Sequence, residues 1–421
     1  MRILVLTPRL PWPLKSGGNA AVFSTLHCLS EDHEFVLLCP IFTDIQYRAA
    51  ESLATLLPKV RVRAVVCESA SGPHKNELFL RSLLRMFARC LRRLFNILAP
   101  VRLTEAPIPY NPFVPLPRAF VEAIMEELEK CPDLVQCEFA EMMPIGILVP
   151  TKISRLFVHH QVHHVYTARF LQVHGSSPYA SYFSELLRVQ EQTYLRSFDA
   201  IITFSDADRQ ALAAMVEIDR VHISPYPTPV DLGIVSKVSE HFDGRFFFLG
   251  SEVHDPNRDA LTWLLDEIWP NISVALPATE LVVIGAWGRR WLRRAGVSKV
   301  SFPGFVDNLG AFLRGGIMLV PIRIGSGLRT KTLAAFAQGV PVVSTSVGAE
   351  GLMASDGVEL IIRDSAAEFT AASIELALDG ALRRRISEAG LNLLIARYSA
   401  TSVRRRRNEI YSSLARTMHA T

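Results

Sequence analysis

Short apolar runs alternate with helical patterns along most of the chain. RILVLT (2–7), FVLLC (35–39), VRVRAVVC (60–67), DLVQCEF (133–139), SRLFVHH (154–160) and FDAIITFS (198–205) are rich in Val, Ile, Leu and Phe. Most of them lack the polar alternation of a half-exposed strand, which is the pattern of strands covered on both faces in parallel sheets. Helical segments fall between them, for example at 118–130 and 180–196. The second half repeats the rhythm with RFFFLG (245–250), ELVVIGA (280–286), VSFPGF (300–305), IMLVPI (317–322) and PVVST (341–345). Helices are expected there near 257–267, 328–338, 367–379 and 382–397. Strand–helix alternation run through twice predicts two doubly wound α/β domains. The joint falls in the polar stretch 226–243, which follows Pro225 and carries Pro227 and Pro229. A chain of 421 residues has room for two or three domains of ~150 residues each.

Two segments break the rhythm. Residues 70–117 are too many for an ordinary loop. Within them, 75–98 place Lys75, Arg81, Arg85, Arg89, Arg92 and Arg93 within about a third of a helical circumference, with Phe and Leu around the rest. Such a helix suits the lipid headgroup boundary; the alternative packs it on its own domain with the arginines in solvent. The second segment is a C-terminal helix at 401–419 with four consecutive arginines, Arg404 to Arg407. It reads as a solvated helix face or a phospholipid contact, and lacks the aromatic–basic interleaving of a nucleic-acid binder. The formal net charge is only +4, too mild to imply nucleic acid. These two basic segments exceed that total, so the remaining body is slightly acidic. No run of about 18 uncharged apolar residues is present, and ILVL near the start is too short for a signal peptide. Six scattered cysteines without a C-x-x-C pair predict buried reduced thiols. A cytoplasmic protein, peripheral on the inner membrane face if 75–98 meets lipid, is the expectation.

The densest chemical signal is PIRIGSGLRTKTLAAFAQGVPVVSTSVGAEGL, Pro321 to Leu352. It reads strand, glycine turn, helix, strand, glycine turn. Gly325 and Gly327 permit close backbone approach where a helix opens, so free N–H groups would face a bound phosphate. Arg329 and Lys331 fall in the first helical turn, where they can neutralise a diphosphate. A second glycine loop follows at Gly348. Asp206-Ala207-Asp208 has the spelling of a metal-binding pair, but its position at a helix start indicates capping. In FVHHQVHHVYTAR, His159 and His163, and His160 and His164, are each four apart, a spacing that suits a metal pair on a helix. The preceding apolar strand argues against one helix carrying all four.

The Pro321–Leu352 run resembles the donor-site signature of retaining GT-B glycosyltransferases, family four, in the polysaccharide-type branch. The resemblance extends to MRILVLTPRLPWPLKSGGNAAVFSTLHCLSEDHEFVLL, LRSFDAIITFSDADRQAL, FLGSEVHDPNRDALTWLLDEIWP and FPGFVDNLGAFL. It implies two Rossmann-like domains facing a cleft: an N-terminal acceptor-side domain (1–228) containing the insert, a donor-binding domain (229–399), and a terminal helix (400–421) that packs back on the first. It implies transfer of a sugar from a nucleotide-sugar to a lipid-linked or polysaccharide acceptor, with no cofactor and no metal. Arg329 and Lys331 would hold the diphosphate. Gly250, Ser251, Gly325, Ser326 and Gly327 would border the donor, and Gly17 and Gly18 would approach it from the facing domain. His160, with His159 as the alternative, matches a functional histidine near sugar and acceptor. Glu138, at the end of its strand, would hold acceptor hydroxyls.

One departure is large. The family carries a ribose-binding glutamate after Leu333, where this chain has Ala334. A lost charge-assisted bond is worth about 1.5–3 kcal/mol, and Glu350 in the second glycine loop could compensate. The alternative is a catalytically weak relative that binds nucleotide-sugar or a partner transferase, which Ala334→Glu should reactivate. The family's upstream Arg and Lys are also missing, with Glu252 and Asn257 near those places. A GT-B epimerase is disfavoured, because the pattern follows the transferases.

Overall fold

The computed structural model describes residues 1–14, 16–68, 110–228, 233–239, 241–294, 299–306, 308–325 and 327–419. The basic segment 75–98 and Ser326 lie outside the described residues.

The first sheet contains β1 (Arg2–Leu6), β2 (Glu34–Ile41), β3 (Val60–Val66), β4 (Leu134–Glu138), β5 (Ser154–His159), β6 (Ala200–Thr203) and β7 (Val221–Ile223). Its order is β3-β2-β1-β4-β5-β6-β7, with all neighbours parallel. The second contains β8 (Arg245–Leu249), β9 (Glu280–Ile284), β10 (Val300–Gly304), β11 (Ile317–Val320), β12 (Val342–Ser344) and β13 (Ile361–Ile362). Its order is β10-β9-β8-β11-β12-β13, again all parallel. Each sheet reverses its winding once, between β1 and β4 and between β8 and β11. Crevices that bind ligands form at such switch points, outside the carboxyl ends of the strands.

The helices are α1 (Gly17–Leu29), α2 (Asp44–Leu56), α3 (Arg118–Glu129), α4 (His163–His174), α5 (Pro178–Leu195) and α6 (Asp206–Leu212), then α7 (Asp255–Trp263), α8 (Trp269–Ala275), α9 (Arg289–Arg294), α10 (Leu309–Leu313), α11 (Thr330–Ala337), α12 (Ser346–Ala349), α13 (Ala366–Leu378), α14 (Gly380–Tyr398) and α15 (Ala400–His419).

The continuous apolar runs are explained by cover on both faces. Ile3, Val5, Leu37 and Val158 join one core cluster, while Leu4, Leu6, Val36 and Phe157 join another on the opposite face. Successive side chains alternate faces, and both faces are dry. The expected helix at 257–267 runs on instead to Ala275 through a π turn at Leu264–Ile268. Pro270 supplies no N–H and crowds the carbonyl four residues earlier, and the wider turn accommodates it. Two of the four edge strands, β7 and β13, have three and two residues, too few to leave a sequence pattern.

Helix α15 packs on α1 and β5. Its arginines fasten it there, which corrects the solvated or lipid-facing reading of Arg404 and Arg407. Arg404 pairs with Asp32, Nε to Oδ2 at 2.6 Å. Arg407 is 1% exposed and donates through Nε to Ser224 Oγ at 3.0 Å. Arg405 is exposed. Four of the described cysteines are buried, but Cys131, just after α3, is exposed. No helix among the described residues is long and apolar enough to cross a membrane.

Candidate active site

The loop after β11 forms the turn that leads into α11. Gly325 has φ +126° and Gly327 φ +81°, where an L side chain would be strained. At Gly327 a Cβ would also lie 2.3 Å from the carbonyl oxygen of His160. The second sheet's turn thus touches the loop after β5 directly. The two domains make further contacts at the same level. A Cβ on Gly17 would lie 2.6 Å from Thr330 Cγ2, and one on Gly351 2.7 Å from Ser205 Cβ. The carboxyl ends of the two sheets therefore face each other, and the glycines permit the close approach.

Arg329 and Lys331 lie at the start of α11. Arg329 donates to Val347 O at 3.3 Å. Burial lowers its pKa, while Glu350 and Asp208 nearby oppose that shift. Lys331 Nζ donates to Asn257 Oδ1 at 2.8 Å and sits 5.1 Å from the Phe248 ring centroid. Burial, with Arg329 adding to it, lowers Lys331 to about 7. Asn257 Nδ2 donates in turn to Ser251 O at 3.1 Å, and a Cβ on Gly250 would strike the Asn257 amide. Gly250, Ser251, Asn257 and Lys331 are thus one connected group. Asn257 links the group, accepting from Lys331 and donating to the backbone at Ser251.

On the facing side, His160 Nε2 lies 2.6 Å from Glu138 Oε2. Its ring stacks on Phe139 at 4.0 Å and meets Phe204 edge-on at 5.1 Å. Phe139 has φ +71°, an outlier for a bulky residue. It also lies against Gly18, where a Cβ would come 2.6 Å from its ring, and beneath the Arg9 guanidinium at 4.5 Å. Sequence reasoning missed Phe139 and Arg9. Only the position of Phe139 directly after a strand end could have pointed to it.

Three expected roles change. Glu138 is buried, accepting from Gln136 Nε2 at 2.5 Å as well as bonding His160; it orients that ring and is not open to acceptor hydroxyls. His159 is 1% exposed and bonds Glu191 at 3.0 Å, which removes it from the acceptor side. Glu350 is held by Arg169 of α4, at 2.5 Å and 2.8 Å, so its carboxylate is already engaged and does not stand free to replace the ribose-binding glutamate. Ala334 is 3% exposed. A glutamate restored there would enter a buried position, where an unpaired carboxylate costs several kcal/mol, so the substitution tests stability as much as donor use. Ser205 is the N-cap of α6, and its Oγ accepts from Asp208 N at 3.0 Å. Asp206 and Asp208 occupy the first turn behind it.

The histidine cluster is split between strand end and helix start, and Glu191 ties the two together. Its carboxylate accepts from His163 N at 2.9 Å and His164 N at 3.0 Å, and bonds His159 and His164 side chains. Burial alone would raise the Glu191 pKa, but the bonds from His159 and His164 outweigh it and hold it low. Burial holds His163 down to about 4. Glu191→Ala should therefore destabilise the protein by about 3–5 kcal/mol, read from urea unfolding.

A cavity of about 540 Å³ is lined by His174 of α4 and by Arg258, Trp291 and Arg323 among others; the glycine turn, Arg329 and Lys331 do not line it. Strands ending at a switch point, a glycine turn and two cations at a helix start make a phosphate-binding arrangement. Residues 243–379 match the family of glycosyl transferases group 1. The matched stretch spans β8 to α13 and includes the glycine turn, Arg329 and Lys331. A curated relative, the lipopolysaccharide core biosynthesis glycosyltransferase LpsE of Rhizobium meliloti (strain 1021), is 26% identical over 218 residues. That alignment spans 51% of this chain and 58% of the relative, less than two thirds of its length. Among solved structures, HepE of Anabaena in complex with UDP and glucose superposes with a TM-score of 0.67 at 14% identity, covering 98% of this chain and all of that one. A TarM mutant of S. aureus, in complex with Fondaparinux, alpha-GlcNAc-glycerol and UDP, gives 0.69 at 9% identity over 97% of this chain and 99% of that one. At these identities the likeness concerns the fold alone, the two-domain GT-B arrangement.

Proposed function

We propose that the protein is a glycosyltransferase that moves a sugar from a nucleoside-diphosphate sugar to a lipid-linked or polysaccharide acceptor, with retention of anomeric configuration and without a metal ion. The observation that carries this reading is the glycine turn and helix start that bear Arg329 and Lys331, which meet the other domain where Gly327 abuts the His160 carbonyl and Thr330 abuts Gly17. A leaving diphosphate develops charge there, and preorganised cations in a site shielded from water stabilise it strongly. His160, oriented by Glu138 and Phe139, stands on the acceptor side. The group 1 match and the relative named for lipopolysaccharide core biosynthesis support a saccharide acceptor. The basic segment 75–98 supports work at an anionic membrane surface. Each well-placed basic residue adds about 1 kcal/mol there, so Arg85→Glu with Arg89→Glu should release the protein from anionic liposomes.

Ala334 favours a second reading, a donor-binding protein with little turnover. A thermal-shift screen against UDP-, GDP-, ADP- and TDP-sugars, followed by a hydrolysis assay of any hit, separates the two. The first reading expects stabilisation and slow donor hydrolysis. Stabilisation without hydrolysis or transfer supports the second, and no stabilisation by any donor removes the transferase reading.

A further inference from the structure

Arg169 belongs to the N-terminal domain, yet its guanidinium reaches across to the glycine turn. It donates to Gly325 O and, through both terminal nitrogens, to the two carboxylate oxygens of Glu350. The same face of α4 carries Tyr166 and Phe170, which cluster with the fully buried Ile324 immediately before the turn. Residues three and four apart share a helix face, so α4 presents one apolar and one cationic contact to residues 324–325. On the other side of the turn, Gly327 N donates to Asp208 Oδ1 at 3.3 Å. A turn built on two glycines with positive φ has little stiffness of its own. The groups that fix it come from the opposite domain.

We propose that Arg169 is a positioning residue for the nucleotide diphosphate. The inference rests on the donor reading above. Arg169 acts in two ways. It fixes the turn through Gly325 O, and it occupies Glu350, whose charge also acts on Arg329. Without Arg169 the Glu350 carboxylate is left to pair with Arg329 and withdraws that cation from the diphosphate. Donor affinity thereby depends on closure of the two domains, because the residue that readies the site stands on the domain that does not contain it.

The test uses the full chain and titration calorimetry with UDP, GDP, ADP and TDP, followed by the nucleotide that binds best. Arg169→Met should weaken that nucleotide tenfold or more. Arg169→Lys, which keeps the charge but not the fork, should fall between. The diagnostic variant is Arg169→Met with Glu350→Gln, which should recover part of the lost affinity, because the competing carboxylate is gone. A merely structural role for the ion pair gives no such recovery. Arg188→Met, at an exposed pair within α5, should bind as wild type. Wild-type affinity in Arg169→Met, or a double variant as weak as the single one, overturns the inference and leaves the donor reading intact. Failure of the wild type to bind any of the four nucleotides overturns both. Should Arg169→Met not fold, Arg169→Lys and Arg169→Gln in the same two backgrounds carry the comparison.

Discussion

Lys331→Met should lower glycosyl transfer by about 10²–10³-fold, the range found when one preorganised donor to developing charge is removed. It should also change the proton balance of donor binding. Burial and Arg329 lower Lys331 to about 7 in the unliganded protein. A bound diphosphate supplies the negative charge that holds the proton, so the pKa rises on binding. At pH 8 the free side chain is mostly neutral and the bound one charged, and binding takes up close to one proton. Affinity is then greatest below about pH 7 and falls as pH rises toward the bound pKa, by linkage. The check is calorimetry of the best-binding nucleotide-sugar in buffers of different ionisation enthalpy. Proton uptake at pH 8 in the wild type and none in Lys331→Met is the expected result. Uptake that persists in the variant would assign the proton to another group, such as His254, which is also held low by burial and by Lys331.

The second large effect is steric. Gly327→Ala adds a Cβ at φ +81° that would overlap the His160 carbonyl oxygen at 2.3 Å. The obstacle is backbone, and no rotamer change relieves it. The domains must part locally, and displacement by about 1 Å near reacting groups can cost 10²-fold in rate. Transfer should fall by at least that factor, with far-UV circular dichroism unchanged. Alanine at Gly304, which also has positive φ but open space around the added Cβ, should cost only the backbone strain of about 1–3 kcal/mol. If both variants lose the same activity, close approach of the domains is not the cause.

The parallel strands and the glycine turn were legible in the sequence because they depend on local pattern. Val-rich and Leu-rich runs mark strands whatever their neighbours, and Gly325, Gly327, Arg329 and Lys331 lie within seven positions. What escaped depends on partners far along the chain. Glu138 looked like a free carboxylate until His160 and Gln136 were seen to claim it. Glu350 looked like a substitute ribose ligand until Arg169, 181 positions away, was seen to hold it. His159 and His160 are neighbours in sequence, but strand alternation sends the two to opposite sides, and Glu191 waits on one of them. The arginine run at 404–407 reads as one cationic surface, but on a helix only some members share a face. Arg407 turns inward while Arg405 stays in solvent.

Helix α15 has a consequence for the order in which the protein matures. Arg404 grips Asp32 from 372 positions further on, and Tyr411 Oη donates to Gln136 of β4 in the first sheet at 2.6 Å. The strands and helices of the N-terminal domain leave the ribosome before the domain between 243 and 379 is made, yet one panel of that N-terminal wall is translated after it. Until that panel arrives, apolar surface beside β5 and α1 stays open to water and to other nascent chains. The first domain thus cannot close its wall until the second has been made.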